Sequence, residues 1–138
     1  MIPDIMTYVQ RLTHAWNSHD LEQVLPYYSE EYEGSNIGEP QLQRGRASVR
    51  EMLLTYWKAF PDLQFRVEST VTEESRIAIS WLAEGTHQGT IMNIPATGHK
   101  VEVRGVSIID VEDGLVVRGQ YIWDLAGMLR HMGLLPKL

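Results

Sequence analysis

Five side chains in the second half of the chain, His87, Ser107, Arg118, Gln120 and Asp124, are of types that bind ligands or move protons. Strand alternation puts them on one face. Asp113-Gly114 is a two-residue hairpin turn that pairs Glu112 with Leu115. A bulge-free register then sets Asp110 against Val117, Ser107 near Gln120 and Val103 against Asp124. Val116, Arg118, Gln120, Ile122 and Asp124 share that face with Val103, Gly105, Ser107 and Ile109. An even register of the preceding strand adds Gly85 and His87. Polar groups on the inner face of a sheet are costly unless paired or wetted. A few of them converging among Val, Ile and Trp81 therefore describe a ligand pocket. In it a carboxylate could take or give a proton, and His87 could donate to a developing anion or relay a proton. Arg118 could pair with Asp124 or a ligand carboxylate, and Ser107 and Gln120 could line the wall. The plainer readings are an Asp124 that caps the helix starting at Leu125, a His87 bonded to backbone, and an Arg118 on the rim.

The elements that must hold these residues are legible from spacing. Ile5, Tyr8, Val9, Leu12, Ala15 and Trp16 form one helical stripe, with Asp4 as its cap. Asp20 caps a shorter helix carrying Leu21, Val24 and Leu25, limited by Pro26. Residues 30–45 are polar and Gly-rich, with one short strand expected near Tyr32. Ser48 and Glu51 match a capping box. Val49, Met52, Leu53, Tyr56, Trp57 and Phe60 follow at helical spacing, and Pro61 stops the run. Leu63 to Val71 and Ile77 to His87 alternate as strands, and a loop with Pro95 and Gly98 leads to a strand from about His99 to Val111. A short helix, Leu125 to Met132, closes the chain at Gly133. Helices followed by antiparallel strands predict an α+β domain with helices on one face of a curved sheet. Trp16, Tyr56, Trp57, Phe60 and Trp81 supply its aromatic core, with Trp57 and Trp81 as candidates for the pocket wall. Leu115, Val117, Gly119, Tyr121 and Trp123 fall on the opposite face of the last strand. An outward face that apolar predicts a homo-oligomer, dimer or tetramer.

Composition excludes several classes. The 138 residues amount to one domain, 1–138, large enough to bury a core. Without cysteine there are no disulfides, thiolate chemistry or Cys-ligated zinc. A net charge of −6 with dispersed Lys and Arg argues against nucleic acid as a partner. Met1-Ile2-Pro3-Asp4 lacks the charged start of a secretory leader, and no apolar run reaches the ~20 residues of a membrane span. The expectation is a cytoplasmic protein with no membrane partner. The remaining histidines, His14, His19, His99 and His131, lack metal-ligand spacing, so no metal is expected.

Ala59-Phe60-Pro61-Asp62-Leu63, Gly85-Thr86-His87-Gln88-Gly89, Pro95-Ala96-Thr97-Gly98, Glu112-Asp113-Gly114 and Asp124…Leu129…Met132-Gly133, with the early Asn17-Ser18-His19-Asp20, resemble the SnoaL-like polyketide cyclases of the NTF2-like superfamily. The resemblance spans nearly the whole chain. It implies a cone-shaped α+β barrel with a deep apolar cavity, and commonly an oligomer. It also implies intramolecular aldol ring closure without cofactor or metal, with Asp124 at the acid/base position. Where those cyclases carry a histidine on the penultimate strand this chain has Ser107, and where they carry a glutamine near the C-terminus it has His131.

In that chemistry Asp124 removes a proton from a carbon between two carbonyls, and the enolate attacks a second carbonyl of the same molecule. Positioned proton transfer contributes roughly 10²–10⁴-fold, and holding the substrate folded supplies much of the rest. Other readings stay open. An isomerase, dehydratase or epoxide hydrolase could use the same fold, an isomerase needing an oxyanion donor such as Tyr8, Tyr28, Tyr32 or Tyr56. A non-catalytic module could instead bind an apolar small molecule.

Overall fold

The structure, a computed structural model, describes residues 4–138. Residues 1–3, on which the reading of the N-terminus partly rested, lie outside them. Helix α1 spans Ile5–Asn17 and buries Val9, Leu12 and Ala15, one apolar stripe. Its Asp4 cap accepts the Thr7 N–H at 3.1 Å. Asp20 caps α2 (Leu21–Val24) through the Glu22 N–H, and Pro26 turns the chain into a 3₁₀ turn, Leu25–Tyr27. Helix α3 (Gly45–Ala59) buries Val49, Met52, Leu53, Trp57 and Ala59. It starts three residues before the expected capping box, with Arg44 as N-cap. Ser48 bonds back to the Gly45 carbonyl instead of capping. Helix α4 (Leu125–His131) ends at Gly133, whose φ of 81° is the left-handed geometry glycine favours.

Strands β1 (Tyr28–Asn36), β2 (Gln43–Arg44), β3 (Gln64–Glu73), β4 (Arg76–Thr86), β5 (Lys100–Glu112) and β6 (Leu115–Trp123) form one sheet in the order β2-β1-β6-β5-β4-β3. It is curved and unclosed. All pairings are antiparallel except β1–β6. Helix α1 lies against β3, α3 against β1 and α4 against β5. The first strand is longer than the short strand expected near Tyr32. It runs nine residues, and its buried positions, Tyr28, Tyr32, Gly34 and Asn36, include polar and small types that mask the usual apolar alternation. Among the described residues no helix is long and apolar enough to cross a membrane.

The hairpin register corrects the sequence reading. Asp113 and Gly114 adopt positive φ, and Glu112 pairs with Leu115 as expected. A bulge then intervenes: Val111 pairs with Val116, but Asp110 pairs with Arg118, Ser107 with Tyr121 and Gly105 with Trp123. One extra residue reverses every side chain beyond it. Gly119, Tyr121 and Trp123 therefore point inward with Val103, Gly105 and Ser107, while Arg118, Gln120 and Ile122 point out. The β4–β5 register has no such shift, so Gly85, Ala83, Trp81 and Ile79 do share the inner face with Val101, Val103, Gly105 and Ser107. Of the apolar residues assigned to an oligomer contact, Gly119, Tyr121 and Trp123 thus lie on the inner face. The outer face carries Val71, Ala78, Val106, Ile108 and Ile122, with Val71 and Ile122 well exposed.

Candidate functional site

Between the inner face of the sheet and helices α1, α3 and α4 lies a cavity of about 140 Å³. Leu12, Thr13 and Trp16 come from α1, Met52 and Tyr56 from α3, and Met128 from α4. Phe65 and Val67 (β3), Ile79, Trp81, Ala83 and Gly85 (β4), Val101, Val103, Ser107 and Ile109 (β5), and Tyr121 and Trp123 (β6) form the sheet wall. Tyr28 and Asn36 of β1, with Phe60 and Leu63, complete it. A cavity near 150 Å³ accommodates benzene, so the enclosed part holds about one ring. Among the described residues that line it there is no carboxylate, imidazole, ammonium or guanidinium.

Its polar groups are arranged in pairs. Trp16 Nε1 donates to the Tyr28 hydroxyl at 2.9 Å, Trp81 Nε1 to Ser107 Oγ at 2.9 Å, and Trp123 Nε1 to Asn36 Oδ1 at 2.9 Å. Asn36 Oδ1 also accepts the Gly38 N–H at 2.8 Å. The Tyr32 and Tyr121 hydroxyls bond at 2.8 Å, and Tyr32 reaches Gln43 Oε1 at 3.4 Å. Burial pushes the phenols of Tyr28 and Tyr121 far above their ordinary range, raises that of Tyr32, and moves Tyr56 up to about 12. They remain neutral hydrogen-bonding groups at any ordinary pH. Sequence reasoning named Tyr28, Tyr32 and Tyr56 only as possible donors and missed Asn36 and Tyr121. Tyr28, Tyr32 and Asn36 at even spacing in an otherwise polar stretch were the available signal.

The residues singled out from the sequence separate into three groups. Ser107 and Trp81 stand together in the cavity wall. Arg118 and Gln120 lie on the outer face, reversed by the bulge. Arg118 Nε donates to Asp110 at 3.1 Å, where Arg76 also binds at 2.8 Å. The Arg76 hydrogen bond, with help from Arg118, holds the Asp110 carboxyl below its usual range. Trp57 is buried outside the cavity lining, its indole stacked on His19 with ring centres 5.0 Å apart.

His87 and Asp124 also sit outside the lining. His87 is fully buried beyond the end of β4, packed on Phe60. Its Nδ1 accepts the Thr97 N–H at 3.2 Å and meets Thr97 Oγ1 at 2.9 Å, so the ring proton resides on Nε2. Its own N–H and carbonyl bond to His99 and Gly98. The residue pins the loop after β4 to the sheet. Asp124 follows the cavity residue Trp123, is exposed, and caps α4 by accepting the Gly127 N–H on Oδ1 at 2.8 Å. Among the described residues no three Asp, Glu or His side chains gather in a metal-binding group.

Comparison with known proteins gives one family. The model of the SnoaL-like polyketide cyclases matches residues 6–132. Among solved structures, AclR, a proposed hydroxylase from Streptomyces galilaeus, is similar at 28% identity and a TM-score of 0.83, over 96% of this chain and 87% of that one. IdmH, a proposed polyketide cyclase from Streptomyces antibioticus, is similar at 25% identity and a TM-score of 0.80, over 93% of this chain and 97% of that one. A Catenulispora acidiphila protein with a ketosteroid isomerase-like fold is 11% identical with a TM-score of 0.80, over 98% and 96%, a likeness of fold alone. No curated protein matches the chain.

Proposed function

The chain belongs to the SnoaL-like polyketide cyclase family, and we propose that it binds a neutral, largely apolar carbonyl compound of polyketide type and promotes ring closure within it. The observation that carries this reading is the cavity lining: apolar walls, no ionised side chain, and a few fixed hydroxyl and amide groups. Such a wall favours a neutral ring-sized body with oxygen acceptors and rejects a charged one, whose burial costs several kcal/mol without a partner. A longer substrate extends through the mouth of the cavity. Confinement supplies the entropy of ring closure, and the neutral donors polarise a carbonyl as the enolate forms. In the finer form of this proposal, Asp124 is the acid/base at the end of β6. Supporting that assignment are its place beside Trp123 and its Oδ2, which makes no hydrogen bond among the described residues.

A second reading, a binding module without chemistry, is favoured by the same carboxylate's exposure and its use as a helix cap. The experiment that separates them is carbon-acid exchange. Linear and cyclic 1,3-dicarbonyl compounds in D₂O are followed by NMR with wild type and Asp124→Asn, alongside ligand-induced thermal shifts. Deuterium uptake that needs Asp124 supports the cyclase reading. Thermal stabilisation of both proteins without enhanced uptake supports the module. Absence of both effects across the panel refutes cavity binding of this class. The homo-oligomer expected of the chain is carried forward on the outer sheet face, where Val71 and Ile122 are exposed.

A further inference from the structure

We propose that Trp81 and Trp123, flanking Gly105 in the middle of the sheet wall, are the specificity-determining residues that limit the enclosed part of the ligand to the width of one ring. This assignment rests on the cavity being the ligand site. In the register of the sheet Trp81 stands opposite Gly105, and Gly105 opposite Trp123. The rows on either side also line the cavity: Ile79, Ser107 and Tyr121 on one, Ala83 and Val103 on the other. The two indoles therefore occupy the centre of the wall, where their bulk narrows the space for any body that enters, and not one end of it, where they would limit length alone.

Both indoles are fixed in place. Trp81 Nε1 donates to Ser107 Oγ at 2.9 Å, and its ring meets Phe65 edge-to-face with centroids 5.3 Å apart, a geometry such pairs prefer. Its Cζ2 and Cη2 lie over Gly105, 2.5 Å from where a Cβ would stand. Trp123 Nε1 donates to Asn36 Oδ1 at 2.9 Å, an oxygen that also accepts the Gly38 N–H at 2.8 Å. Trp123 Cζ2 lies 2.6 Å from where a Cβ of Gly38 would stand. Carbon atoms in contact prefer about 3.5–4.0 Å, so each indole lies in a seat that only glycine leaves open. A wider ligand cannot press either ring back, because backbone is directly behind it. Met128, from α4, is unbranched and can follow the outline of the ligand instead. The ligand class that follows is a neutral carbonyl compound whose enclosed part is one ring wide. A cage-like body is excluded, whereas a longer chain still leaves through the mouth.

The test uses the full chain and two methyl ketones that differ in width, acetylcyclohexane and 1-acetyladamantane. The adamantane cage is rigid and cannot be divided between the cavity and its mouth. It carries more apolar area than one ring, so the hydrophobic effect alone favours it. NMR titration reads the dissociation constants and the Trp81 and Trp123 indole N–H signals. Wild type is expected to bind acetylcyclohexane at least about 10-fold more tightly than the cage, with both indole signals moving. Trp81→Leu and Trp123→Leu each take a ring out of the wall, and each is expected to lose that preference or reverse it while acetylcyclohexane still binds. Where a leucine variant does not fold, Trp81→Phe, which keeps the contact with Phe65, and Trp123→Phe take its place and shift the preference in the same direction. Equal affinity of wild type for the two ketones, a preference for the cage, or a preference unchanged by substitution of either tryptophan overturns the width limit and leaves the cavity reading standing. Binding of neither ketone overturns both.

Discussion

Gly105 is the position on which the Trp81–Ser107 bond depends. Trp81 faces Gly105 across the β4–β5 pairing, and its indole lies over the glycine so that Nε1 reaches Ser107 two residues along. A Cβ at position 105 would sit 2.5 Å from Trp81 Cζ2 and Cη2 and 2.8 Å from Trp123 Cβ. Carbon atoms in contact prefer about 3.5–4.0 Å, so the ring has to retreat by roughly 1 Å, with Phe65 against it at 5.3 Å. Overpacking of this kind costs about 1–3 kcal/mol, and the lost Trp81–Ser107 bond about 1 kcal/mol more. Gly105→Ala is therefore expected to lose about 2–4 kcal/mol in urea unfolding at unchanged m-value, roughly 10 °C in Tm for a domain of this size. The Trp81 indole N–H resonance should shift toward its free position. Adding Trp81→Phe removes the two clashing ring atoms and should return part of the loss. Wild-type stability in Gly105→Ala, or strictly additive losses in the double variant, would refute the packing argument.

Asp124→Ala removes the cap on α4 and should cost about 1 kcal/mol, whereas Asp124→Asn, still a good cap, should cost little; urea unfolding of both checks it. The Asp110 carboxyl, depressed by Arg76 and Arg118, contributes stability that is complete above the unfolded-state value near 3.8 and lost as pH falls through the lower folded value. Asp110→Asn should flatten the stability–pH curve below about pH 4, as read by thermal unfolding at several pH values. Burial raises the phenols of Tyr8, Tyr28, Tyr32, Tyr56 and Tyr121. Native protein should keep all five protonated at pH 11 in an ultraviolet titration and lose stability as pH rises past about 10, where the unfolded phenols ionise. Light scattering at micromolar concentration should give a dimeric or tetrameric mass, and Ile122→Lys a monomeric one.

Much of this architecture could be read from local pattern, because its causes are local. The stripe Val9, Leu12, Ala15, the caps Asp4 and Asp20, the stop at Pro61 and the Asp113-Gly114 turn each act within a few residues. The even β4–β5 register, a condition of the sequence reading, holds in the structure and brings Trp81 and Ser107 to one face. The family resemblance extended the same legibility to the whole domain.

The site was decided elsewhere. One extra residue between Val116 and Arg118 exchanged the two faces of β6, moving Arg118 and Gln120 out and Tyr121 and Trp123 in. Period-2 alternation carries no mark of a bulge, since each side chain is compatible with either face until the opposite strand is placed. The cavity's polar groups come from parts of the chain that are distant in sequence: Tyr32 bonds Tyr121 across 89 positions, Trp123 bonds Asn36 across 87, and Trp81 bonds Ser107 across 26. Sequence alone determined the helices, the four later strands and that helices and sheet enclose an apolar core, because burial and capping are dictated by residue type and spacing. Which polar groups face that core, and which partners they find there, was decided only by tertiary pairing, because a hydrogen bond between distant residues depends on the register of every strand between them.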